Sequence, residues 1–173
     1  MGFFIGPTNT LEQVSALGIY APINKFVTVN QDVTNSSTLT DSTDLQASLV
    51  ASATYDFETL EIVGGSNVNA SGTQTDLSYT GSATFYGSRR RGHANNAEPI
   101  NIAPTWPGSA TSIDGTVLFP GGGSGQSTIA NRVGRIVTST AGTFKIRFAQ
   151  QTATAGHYAR LYVGSYIRIV RIS

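Results

Sequence analysis

From Lys25 onward, apolar and polar positions alternate with a period of two, and the alternating runs are rich in β-branched and aromatic residues. Successive side chains of a strand point to opposite faces, so this period marks half-buried β-structure. The runs predict strands at 26–29, 45–50, 54–63, 76–86, 132–138, 143–150 and 161–172. The stretch 54–63 is the longest, and Gly64-Gly65 stops it. Over 76–86, Leu77, Tyr79, Gly81, Ala83 and Phe85 share one face. Residues 143–173 alternate twice around a polar link at 152–157, which predicts a closing hairpin with the chain ending in its last strand. Hairpin-connected strands between Gly, Asn and Ser clusters predict an all-β fold, a jelly-roll-like antiparallel β-sandwich.

Two segments break the alternation. Residues 1–24 read as an N-terminal arm. Phe3, Phe4 and Ile5 are apolar, Gly6-Pro7 punctuates, and Thr10 can cap a short helix over 11–17 before Gly18. One or two helical turns need a partner surface. The arm either covers an open edge of its own sandwich or anchors on a neighbouring subunit, with Phe3, Phe4 and Ile5 as docking residues. The remainder, 25–173, reads as a single sandwich domain with a long irregular insertion near 87–131. That insertion carries Arg89-Arg90-Arg91, the sole Trp (Trp106) between Pro104 and Pro107, and the run Gly121–Gly125. Long loops in compact domains commonly form interfaces or sites. Three consecutive guanidinium groups suit docking to carboxylates or phosphates, or simply form a solvated loop. Trp106 suits an interface anchor, a sugar-stacking platform or a lid over the core.

Charge changes the picture more than length does. The 173 residues fit one domain, but only 12% are charged, against roughly 25% in ordinary proteins. Such a surface suits packing against copies of itself or partners, because little charge must be desolvated. The net charge of +1 hides an asymmetry. Residues 1–88 hold one base, Lys25, and eight acids; residues 115–173 hold seven bases and no acid. A sheet that brings its ends together joins these halves, within one chain or between chains. The basic positions of the last strands, Arg147, Arg168 and Arg171, are expected to help fix subunit contacts. A pI of about 8.0 argues against nucleic acid as a partner, since such domains usually exceed about 9.

Little in the sequence suggests catalysis. Gly121–Gly125 lacks the Lys of a phosphate loop and reads as a hairpin tip. Asp56, Glu58 and Glu61 could work as acid–base carboxylates, but read better as a solvated or subunit-contacting strand face opposite Tyr55 and Phe57. There is no Cys, and His93 and His157 lie in separate segments, so no zinc set or cofactor site is expected. A calcium ion around Asp32, Asp41 and Asp44 stays open. No apolar stretch approaches the ~18–20 residues that span a bilayer. The N-terminus lacks the basic segment of a signal peptide, which predicts assembly in a cytoplasm.

The segment Val33-Thr34-Asn35-Ser36-Ser37-Thr38-Leu39-Thr40-Asp41-Ser42-Thr43-Asp44-Leu45, followed by Tyr55-Asp56-Phe57-Glu58, resembles a segment of tailed-bacteriophage structural proteins. Gly142-Thr143-Phe144, Phe148-Ala149-Gln150 and Gly164-Ser165-Tyr166-Ile167-Arg168 resemble the end of the same module. The likeness covers about 25–63 and 132–173. It implies a non-enzymatic virion protein, assembled in the host bacterial cytoplasm as a homotrimer that decorates or cements the capsid. Its partners would be copies of itself and the major capsid protein or another virion protein. The alternative is a tail or fibre component, or a receptor-binding module that reads host glycans around Trp106 and the 79–86 strand. No catalytic residue carries over.

Overall fold

The computed structural model describes residues 20–66, 72–93, 108–109, 117–119 and 127–173, the segments 88–93, 108–109 and 117–119 as backbone. The arm with Phe3, Phe4 and Ile5, its short helix, Trp106 and the Gly121–Gly125 run lie outside the described residues. The strands are β1 (Ile23–Phe26), β2 (Gln31–Thr34), β3 (Thr40–Leu49), β4 (Ala53–Gly65), β5 (Thr73–Tyr79) and β6 (Ala83–His93). They continue as β7 (Gly108–Ser109), β8 (Val117–Phe119), β9 (Ser127–Thr138), β10 (Gly142–Gln150), β11 (Tyr158–Leu161) and β12 (Tyr166–Arg171).

All pairings are antiparallel and fall into two sheets. The large sheet runs β1-β12-β4-β9-β6-β7, with β2-β11 continuing beside β4; the small sheet runs β3-β10-β5-β8. β1 and β2 are halves of one edge strand, paired to β12 and β11, which are halves of its neighbour. Both break at one level, where Val27 N–H donates to Ser165 O at 2.9 Å and Val163 N–H to Asn30 Oδ1 at 3.0 Å. With the halves joined and β6–β7 set aside as an addition, the core strands number eight in chain order. The sheets then read 1-8-3-6 and 2-7-4-5, the order of a jelly roll. The expected all-β antiparallel sandwich is therefore the observed fold.

Alternation builds the core. β4 buries every second residue, among them Tyr55, Phe57 and Val63. Phe144, Ile146 and Phe148 of β10 and Ile167 and Ile169 of β12 point inward and are fully or almost fully buried. Each such side chain stabilises the fold by about 1.5–3 kcal/mol. The Phe57 and Phe144 rings, 5.0 Å apart, bridge the two sheets. In β3 the register slips opposite Lys145 and Arg147. Ser42 Oγ accepts from Leu45 N–H at 3.1 Å inside this bulge, and Asp44 is carried onto the corner between β1 and β2.

Four expectations need correction. Residues 143–173 are no hairpin: β10 lies in the small sheet and β11–β12 in the large one, so the 152–157 link crosses between sheets. Residues 76–86 are two strands in different sheets, split at 80–82, where Ser82 O accepts from Ser139 N–H at 2.7 Å. Alternation alone is blind to such a corner, because Gly81 and Ala83 keep the period through it. The insertion is shorter than 87–131: β6 runs to His93 and β9 begins at Ser127. The segment 32–44, which falls between the predicted strands 26–29 and 45–50, is mostly strand, with β2 and β3 at its ends.

Candidate functional site

The two charge halves meet within the chain. Among the described residues, five ion pairs join an acid of the first half to a base of the second. They are Asp32–Arg160, Asp41–Lys145, Asp56–Arg135, Glu61–Arg132 and Asp76–Arg147. Asp56 and Arg135 face each other across β4 and β9 on the outer surface, at 2.7 and 3.1 Å. That contact pushes the Arg135 guanidinium above its ordinary value. Arg147, read as a subunit contact, pairs here with the buried Asp76. Arg171 lies 4.5 Å over the Tyr20 ring and donates to Ser173 O. Arg168 is exposed, in register between Asn24 and Glu58.

Glu61 and Arg132 are different in kind, because both side chains are fully buried between the sheets. Strand parity explains it: Tyr55, Phe57, Thr59, Glu61 and Val63 share the inner face, so Glu61 does not belong with Asp56 and Glu58. Its Oε1 accepts from Arg132 Nη1–H and from Thr59 Oγ1–H. Its Oε2 is buried without a hydrogen-bond partner among the described residues. Arg132 also donates from Nη2 to the Thr75 hydroxyl at 3.0 Å.

The triple arginine is not a loop. Arg89, Arg90 and Arg91 occupy β6, opposite Arg132, Asn131 and Ala130 of β9. His93, in register with Thr128, ends that strand. His157 accepts from or donates to Ser66 Oγ at 3.0 Å beside the end of β4. Asp32, Asp41 and Asp44 are held apart by separate partners, Arg160, Lys145 and Thr28. Among the described residues no three His, Cys, Asp or Glu side chains come together as a metal set. Tyr79, named with the glycan reading, is 1% exposed and donates its hydroxyl to Thr140 O, so it offers no sugar platform.

The surface feature missed from sequence is the outer face of β9. Ile129, Val133 and Val137, 44%, 41% and 37% exposed, alternate there with Asn131 and Arg135, and Tyr86 of β6 stands opposite Arg135 at 52%. The row sits mid-sheet, between β4 and β6. Outer faces of antiparallel sheets are ordinarily polar. β9 has apolar residues on both faces, which blurs the period and hid its register. No family model matches the chain, and no curated protein matches it.

Proposed function

We propose that this chain is a non-enzymatic structural protein that assembles with copies of itself. The observation that carries the reading is the exposed apolar row Ile129, Val133, Val137 with Tyr86, in the middle of the large sheet. Apolar side chains exposed in mid-sheet, here alternating with Asn131 and Arg135, suit an association surface. The charge of the chain supports it. Charged residues are few, and much of the charge is answered inside the fold, so two copies meet with little ionic desolvation. A row on one sheet face can meet its own copy around a symmetry axis.

The likeness of the 33–58 and 142–168 segments to tailed-phage structural proteins makes a virion the particle in this proposal. The chain would be a homotrimer decorating or cementing the capsid, with the major capsid protein as its other partner. Light scattering on a sizing column tests the association. A mass of three times the 18.2 kDa chain is expected. Combining Ile129→Ser, Val133→Ser and Val137→Ser should return the folded protein to a monomer. A wild-type protein that stays monomeric at about 100 µM, well above ordinary micromolar affinities, removes the proposal.

A further inference from the structure

At the other edge of the large sheet, Tyr158, Arg160 and Tyr162 project to one side of the strand β11 and its extension. Arg160 lies opposite Asp32 of β2 in the register, and its Nε–H and Nη2–H donate to the two carboxylate oxygens at 2.6 Å each. The guanidinium carbon is 4.5 Å from the Tyr158 ring centroid and 5.9 Å from that of Tyr162. Tyr162 is held by its N–H donating to Ile62 O at 2.9 Å and by the turn through Gly164, whose φ of 93° favours glycine. The position beside Arg160 on β4 is Gly64, followed by Ser127 on β9. Neither carries a bulky side chain, so among the described residues this flank of the pair is open. Thr34, opposite Tyr158, and Asn30 are exposed at the rim.

We infer that this cluster is a saccharide-binding subsite, and that its ligand is a neutral hexose unit of a glycan. The half-buried Tyr162 ring offers a face for the apolar C–H side of a sugar ring, as amphipathic aromatics do, while the Arg160 guanidinium stacks on one face of Tyr158. Between them stands a fork that is neutral as a whole yet keeps strong donors and acceptors. The Asp32 carboxylate retains lone pairs for a hydroxyl pair, and the guanidinium carries five N–H donors, two of them used on Asp32. Side-chain exposures of 27% for Arg160 and 34% for Asp32 leave both reachable. Vicinal hydroxyls, which donate and accept at fixed spacing, match this pattern. A phosphate or carboxylate ligand fits worse, because Asp32 already neutralises Arg160. Tyr162 lies two strands from Ile129 on the same face, with Ile62 between them, and the two proposals are separated by readout, sugar binding by NMR and self-assembly by mass.

Saturation-transfer NMR on the full chain, with methyl glycosides of glucose, galactose, mannose and N-acetylglucosamine and with sodium glucuronate, tests the inference. Transfer to at least one neutral glycoside is expected, with Tyr162→Ala and Asp32→Asn each weakening binding at least about ten-fold, the size expected from losing a ring contact or a charged hydrogen bond. Tyr162→Phe, which keeps the ring, should bind as the wild type does. Amide shifts in the wild type during the titration give a readout that needs no variant, and should cluster at Thr34, Gly64, Tyr158 and Tyr162. No transfer to any neutral glycoside overturns the proposal. So does transfer that survives both weakening variants, a preference for glucuronate, or amide shifts centred elsewhere.

Discussion

The buried Glu61–Arg132 pair gives the sharpest test of the fold. Replacing Arg132 with Met leaves the Glu61 carboxylate between the sheets with the Thr59 hydroxyl as its remaining described partner. Its Oε2 already lacks a partner among the described residues, so no other described group stands ready to take up the charge. Removing one member of a fully buried pair costs about 3–5 kcal/mol, because the other ion stays desolvated. For a chain of this length that lowers Tm by roughly 6–20 °C. Glu61→Leu alone should cost a similar amount, since Arg132 then keeps Thr75 but no carboxylate from β4. The double variant removes both ions and fills the space with apolar atoms. It should recover most of the loss and come within about 1–2 kcal/mol of the wild type, or exceed it. Urea unfolding of the four proteins at pH 7 closes the cycle. Single variants that lose under about 1 kcal/mol, below the buried-pair range, or a double variant as weak as the sum of the singles, would refute the reasoning.

Three further outcomes are expected. Gly134→Ala should destabilise by about 1–3 kcal/mol, because a Cβ there meets Tyr86 O and, at 2.7 Å, Phe57 Cζ; thermal unfolding reads it. Thr138→Val should cost about 1–2 kcal/mol, since its hydroxyl accepts from Ala53 N–H at 3.1 Å and donates to Val50 O at 2.7 Å; urea midpoints read it. Asp44 is held below its ordinary pKa, first by the Thr28 N–H, so its contribution is present above about pH 4 and lost as pH falls through the lower folded value. Asp44→Asn should therefore lower the urea midpoint at pH 7 slightly, by no more than about 1 kcal/mol after solvent screening, and the difference from wild type should vanish near pH 2.

The class of fold was legible because period-two alternation is a local signal, and β4, β10 and β12 carry it strongly. Sheet membership was not, because it depends on where the chain turns. The corner at 80–82 falls inside an unbroken alternating run, and the 152–157 link has the polar look of a hairpin turn although it joins two sheets. Glu61 could have been placed from sequence by extending the parity of Tyr55 and Phe57; its charge made a solvated face look natural. The β9 row was hidden because Ala130 and Ile136 face inward while Ile129, Val133 and Val137 face outward. The Tyr158–Arg160–Tyr162 spacing was visible, but Asp32 could not be set opposite Arg160 without the β2–β11 register.

The jelly-roll order explains why charge is segregated along this chain. In 1-8-3-6 and 2-7-4-5, the first strand pairs with the eighth, the second with the seventh, the third with the sixth and the fourth with the fifth. The chain doubles over, so strands of the acidic half pair with strands of the basic half. Asp32–Arg160 joins the first and eighth strands, Asp41–Lys145 the second and seventh, and Asp56–Arg135 and Glu61–Arg132 the third and sixth. Asp76–Arg147 links the fourth to the seventh, its other neighbour. A mixed sequence would place like charges opposite each other in some register, which is destabilising. Segregation makes the native register favourable at these five crossings and penalises hairpins within either half. It also leaves the outer surface nearly neutral once the chain has folded, which is the surface that close packing between copies requires.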